Sequence, residues 1–124
     1  MRYVLTNNPK VKETLENQIK VEYRQVDFFE IINIAKHAIH KGDKLLTHPL
    51  SSSIKPNETP YKSIILESGN HMDFDSLKII EEAVQTVSKF LNDFETPNWP
   101  KKVLGDFQII DLSVIENALG NILF

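Results

Sequence analysis

Tyr3-Val4-Leu5-Thr6-Asn7-Asn8-Pro9 passes from apolar to capping residues within a few positions. Tyr3-Val4-Leu5 predicts a short strand. Asparagine is a good N-cap, and proline suits the first helical position, whose N–H has no intrahelical partner anyway. A helix therefore starts at Pro9 and runs to about Asn17, with Val11 and Leu15 on one face. Val21-Glu22-Tyr23-Arg24-Gln25-Val26 then alternates apolar and polar residues, the pattern of a strand with one wet face. The chain thus opens as strand, helix, strand.

The same alternation continues outward. Asp27 caps a second helix, with Glu30 three residues on completing a capping box. Phe28, Ile31, Ile32, Ala35, Ala38 and Ile39 form its buried stripe, and Gly42 ends it as a C′ glycine. Lys44-Leu45-Leu46-Thr47 predicts a third strand and Ser63-Ile64-Ile65-Leu66 a fourth. After the turn at Ser68-Gly69-Asn70, Asp73 or Asp75 caps what reads as the longest helix. It extends to about Phe94 on a stripe of Phe74, Leu77, Ile80, Val84, Val87, Leu91 and Phe94, widened by Ile79, Ala83 and Phe90. Thr96-Pro97-Asn98-Trp99-Pro100 breaks it. A short helical or extended piece over Val103 to Ile110 follows, and Asp111 caps a final helix striped by Leu112, Ile115, Leu119 and Ile122.

Strands alternating with helices predict βαβ units. The expected fold is one α/β domain over residues 1–124, a three-layer sandwich with a small, mostly parallel sheet of about four strands and helices on both faces. Right-handed crossovers make the first and third strands point the same way. The fourth strand follows a connection without a helix and is free to return antiparallel. Open α/β sheets bind ligands beyond the carboxyl ends of their strands. Here that edge would carry Thr6-Asn7-Asn8 and Thr47-His48-Pro49.

Composition narrows the function classes. The 124 residues are 41% apolar and 25% charged, an ordinary globular balance. A net charge of −3, with no basic run, argues against nucleic acid and anionic membrane as partners. Cysteine is absent, which excludes disulfides, thiolate nucleophiles and iron–sulfur ligation. The N-terminus does not read as a signal peptide, and no apolar run approaches the roughly 20 residues of a membrane span. A cytoplasmic location is expected.

The connection from Leu45 to Lys62 is far longer than the usual 4–6 residues, and loops of that length are often functional. Its prolines Pro49, Pro56 and Pro60 restrict it. Three functional readings arise. In the first, the helix start at Asn8-Pro9 favours negative charge, and a pocket for a small anionic ligand forms from Thr6, Asn7, Asn8, Thr47, His48, Ser51, Ser52, Ser53, Lys55 and Lys62. There is no G-x-G-x-x-G and no G-K-[ST], so a nucleotide cofactor is not expected. In the second, His48 is catalytic, because an imidazole near neutral pKa at a strand end suits acid–base work. A phosphorylated or carboxylated substrate would suit the loop's hydroxyls and lysines. In the third, the chain is an interaction module whose surface is Trp99 and the apolar Ile122-Leu123-Phe124, the latter implying a partner or a homodimer if exposed.

Each has a plainer counterpart: caps and loop turns, a histidine bonded within its loop, and a tryptophan packing a helix joint. No metal is expected. His37 and His40 lie off the apolar stripe and should face water, and capping explains Asp73-Phe74-Asp75.

Three stretches together, Thr6-Asn7-Asn8-Pro9, the loop with Thr47-His48-Pro49-Leu50 and Lys55-Pro56-Asn57-Glu58-Thr59-Pro60-Tyr61-Lys62, and Thr96-Pro97-Asn98-Trp99-Pro100, resemble the GrdX family. These small proteins are encoded beside the glycine, sarcosine and betaine reductase components of amino-acid-fermenting anaerobes. The resemblance covers nearly the whole chain and carries no assigned catalytic residue. It implies a cytoplasmic accessory or regulatory role, with reductase components as partners. The missing cysteine agrees that this chain is not itself the redox carrier.

Overall fold

A short apolar run capped by Asn8 builds the first unit. The computed structural model describes residues 1–123, with β1 at Arg2–Thr6 and α1 at Pro9–Leu15. β2 (Lys20–Tyr23), α2 (Phe28–His40), β3 (Lys44–Leu45), β4 (Ser63–Glu67), α3 (Phe74–Asp93) and α4 (Lys101–Leu123) follow. The Asn8 side chain accepts from Lys10 N, Asp27 from Glu30 N and Asp73 from Ser76 N, so α1, α2 and α3 each start at a side chain able to satisfy a free N–H. Gly42 closes α2 at φ 114°, where a Cβ would lie 2.9 Å from the Asn70 backbone. Both the left-handed conformation and the close approach of the two turns require glycine there.

The sheet is open and mixed, in the order β2-β1-β4-β3. β1 and β2 are its parallel pair, while β4 runs antiparallel to both β1 and β3. This corrects the expected mostly parallel sheet. β1 and β3 do point the same way, but β4 lies between them. The reason is local: no helix separates β3 from β4, so nothing carries the chain back for a parallel return.

Successive β1 residues face opposite sides. Tyr3 and Leu5, with Ile64 and Leu66 of β4, pack against Ile31, Ile32, Ala35 and Ile39 of α2 and Ile80, Ala83 and Val87 of α3. Val4 and Ile65 pack against Val11 and Leu15 of α1 and Ile115 and Leu119 of α4. The ends of the α3 stripe do not share this burial, as Phe74 is 75% exposed and Phe94 51%.

Two further expectations are corrected at the C-terminal end. α4, at 23 residues, exceeds α3 at 20. It is also a single helix: Leu104 N bonds to Pro100 O at its start, and Asp111 sits in its interior rather than at a cap. Phe124, part of the apolar end read from the sequence, lies outside the described residues. Among the described residues no helix is long and apolar enough to cross a membrane.

Candidate functional site

The carboxyl end of β1 delivers three polar side chains into the interior, and each is bound. Asn7 donates through Nδ2 to Val26 O and Pro60 O at 2.9 and 2.8 Å, and accepts from Lys62 N at 2.8 Å. It thereby ties the β2–α2 connection to the end of the long loop. Asn8, besides capping α1, donates to Gln108 O and to Asp111 Oδ2, both at 3.0 Å. Thr6 and Ser63 are cross-strand partners with hydroxyls 2.6 Å apart, and Ser63 also donates to Asp111 Oδ2 at 2.7 Å. Thr6, Asn7, Asn8, Ser63 and Asp111 are all buried, so the bonds offset a desolvation cost that any missing partner would expose. Asp111 Oδ2 thus accepts from donors at the end of β1 and from β4.

The second half of the loop lies against this network. Asn57 is fully buried and donates to Phe90 O, at the carboxyl end of α3, while among the described residues its Oδ1 has no partner. Trp99 Nε1 donates to Glu58 O at 2.6 Å, and the indole ring packs tilted on Phe107 with centroids 5.6 Å apart. Thr59 Oγ1 accepts from Tyr61 N, and Gln108 Nε2 donates to the Tyr61 hydroxyl at 2.8 Å. Lys62 is 3% exposed. Among the described residues its ammonium makes no ion pair. Burial holds its pKa below the ordinary lysine value, and the nearby Asp111 charge opposes that fall.

Between these parts opens a narrow cleft with a cavity volume of about 30 Å³. Phe107, Ile110, Asp111 and Val114 present one face of α4 to it, spaced three and four apart as helical neighbours must be. The loop supplies Leu50, Ser52, Ile54, Pro56, Thr59, Tyr61 and Lys62, and Phe28 closes it from the start of α2. Its walls are apolar, with a lysine, a carboxylate and a phenol among them.

The residues singled out from sequence therefore fall into two sets. Thr6, Asn7, Asn8 and Lys62 are buried together at the β1–β4 end. Thr47 is half-buried and commits its hydroxyl to Ile65 N, extending the β3–β4 pairing. His48, Ser51, Ser53 and Lys55 are exposed. His48 Nδ1 accepts from Leu50 N, Ser51 Oγ donates to His48 O, and Ser52 Oγ accepts from Ile54 N. These are turns closed within the loop. Ser52 nonetheless reaches the pocket rim. His37 and His40 are exposed.

Asp111, Tyr61 and the Phe107-Ile110-Val114 stripe are site residues that sequence pattern did not bring forward. The available signal was an acid inside an otherwise apolar i, i+3, i+4, i+7 pattern, which marks a buried, partnered carboxylate rather than a cap.

The family model described as "GrdX: GrdX-like protein" matches residues 3–120, nearly the whole chain, and the chain belongs to that family. No curated protein and no solved structure matches it.

Proposed function

We propose that this GrdX-like protein is a non-redox accessory or regulatory component of the glycine reductase system, working in the cytoplasm, and that it holds a small carboxylate-bearing metabolite in the pocket above Lys62. Family membership supports the association with the reductase. The absence of cysteine supports a role outside thiol and electron transfer.

The observation that carries the ligand reading is Lys62 itself. A lysine only 3% exposed, with no ion pair among the described residues, lines an apolar cleft. Burial penalises the lysine charge, the nearby Asp111 offsets that penalty only in part, and an entering carboxylate would add to the compensation. A reductase component would then read the liganded state through the loop and α4, which together form the pocket's rim.

The test is thermal unfolding of wild type and Lys62→Met with a series of short carboxylates, propionate among them. A carboxylate at 100 times its Kd should stabilise wild type by about 2.7 kcal/mol. Lys62→Met should lose that response. Equal stabilisation of both proteins, or none in wild type, would dismiss the pocket as an anion site.

A further inference from the structure

The closed cleft over Lys62 is too small for a metabolite. A cavity of about 30 Å³ has room for a water or two, so no carboxylate with a carbon chain enters unless part of the wall moves. The walls differ in how they are held. Phe107, Ile110, Asp111 and Val114 belong to α4, and Thr59 and Tyr61 to the loop segment tied to Asn7, α3 and Trp99. Leu50, Ser52 and Ile54 come from residues 48–54. Among the described residues, no hydrogen bond or ion pair leaves that segment. Leu50 N and Ser51 N bond back to His48, Ser52 N to Leu50 O, and Ile54 N to Ser52 Oγ. Its residues that are not exposed, Pro49, Leu50 and Ile54, are all apolar. The chain on either side is fixed: Thr47 Oγ1 accepts from Ile65 N at 3.0 Å, and Asn57 Nδ2 donates to Phe90 O at 2.8 Å. Apolar contacts have no directional bond to break, and turns that close on themselves survive when the segment moves as a unit.

We propose that residues 48–54 are a hinged cover over Lys62, which lifts as one piece while the rest of the fold stays closed, and that a carboxylate reaches the lysine only in the lifted state. The second half rests on the carboxylate reading above; the first does not. The hinges are the two ends just described, Thr47 before the segment and Lys55-Pro56 after it, where the proline ring fixes φ and confines the movement to few bonds. Lifting takes Leu50 and Ile54 out of the cleft wall and opens Lys62 to water, which relieves the desolvation of its charge. A ligand larger than the closed cleft binds the lifted state alone, and so shifts the protein toward it. Leu50 and Ile54 then stand free in the liganded protein and not in the empty one, a difference that a second protein can read.

The experiment acetylates the full-length protein with an N-hydroxysuccinimide ester across a urea series below the unfolding midpoint, and reads each lysine by peptide mass spectrometry. A local opening exposes little surface and depends weakly on urea, whereas global unfolding depends on it steeply. The expected result is Lys62 labelling at a rate flat in urea well below the midpoint. Ile54→Ala should raise that rate about tenfold by removing apolar burial from the cover, with the exposed Lys55 unchanged. A Lys62 rate that climbs steeply with urea from the start overturns the cover, and so does an unchanged rate in Ile54→Ala. Because the urea series is read on wild type, it does not depend on the variant folding. Saturating propionate should slow Lys62 labelling by shielding the amine, yet quicken thermolysin cleavage at Ser53–Ile54, a bond that the lifted segment frees. Slowed labelling with slowed cleavage puts the ligand beneath a closed cover and overturns uptake in the lifted state. If propionate changes neither while Ile54→Ala still speeds labelling, the cover stands and the carboxylate reading falls.

Discussion

Residues 47–55 and 56–62 belong to one connection yet sit in different media. The first part holds His48 and three serines, the groups a chemist would pick out first, and most of it is exposed. The hydroxyls of Ser51 and Ser52 and the His48 imidazole close their own turns. The second part holds Asn57, Thr59 and Lys62, all buried, and its polar atoms bond to the end of β1, to α3 and to Trp99 ahead of α4. The same residue types therefore carry different energetic weight. A polar group in water has a substitute partner for every bond it loses, whereas a buried one does not.

The largest effect should come where that asymmetry is greatest. Asp111→Ala takes an acceptor from Asn8 and from Ser63 and removes the charge that offsets the cost of burying Lys62. We expect a loss of about 3 kcal/mol in urea unfolding, the range for breaking a buried charged network. Asp111→Asn keeps an acceptor and should lose less. Asn7→Ala comes next, at about 2 kcal/mol, since two carbonyls and the Lys62 N–H lose their partner together. If either variant unfolds at the wild-type midpoint, the inner segment is no more committed than the outer one.

Trp99 sharpens the contrast by pinning the inner segment to the start of α4. Trp99→Phe keeps a ring against Phe107 but loses the bond to Glu58 O. The expected loss is about 1 kcal/mol, checked by the denaturation midpoint. Trp99 in this structure joins a loop to a helix, the plainer of the readings its sequence position allowed.

Lys62 turns the comparison into a dependence on pH. Its native pKa lies below the unfolded value because of burial, so between the two the unfolded chain binds more protons. Stability must then rise with pH across that window. Tyr3 acts in the opposite sense: burial and its bond to Asp43 raise its pKa, so stability falls as pH climbs past the ordinary tyrosine value of about 10. Lys62→Met should be more stable than wild type near neutral pH by about 1 kcal/mol, and its stability should lose the rising limb. Unfolding midpoints at several pH values would reveal this. An unchanged limb in the variant would assign it to another group.

Much of this architecture was readable from residue pattern. The strand-to-helix turn at Asn8-Pro9, the α2 stripe with Gly42 behind it, and the Asp27 and Asp73 caps all follow from local chemistry, and local chemistry decides them. The place of β4 was not readable, because an antiparallel insertion between β1 and β3 depends on pairing partners distant in sequence. Asp111 was open to misreading because aspartate before an apolar run suits a cap as well as a buried acceptor. The difference lies in Asn8 and Ser63, 103 and 48 residues away. Burial of Lys62 was hidden for the same reason: its covering wall comes from α4.

The smallest effect tests the outer segment directly. His48 is exposed, and its Nδ1 accepts one bond from Leu50 N, two residues on. Water replaces that acceptor when the imidazole is removed, so His48→Ala should change stability by no more than about 0.5 kcal/mol. Ser51→Ala should behave alike, since its hydroxyl donates to a carbonyl within the same exposed turn. If His48 instead does acid–base work on a bound molecule, the substitution would leave the unfolding midpoint in place while abolishing turnover, a separation that a purely structural histidine cannot produce. Carboxylate binding at Lys62 measured in the same variant completes the contrast. An unchanged response locates recognition in the buried segment, and a lost response moves it to the exposed one.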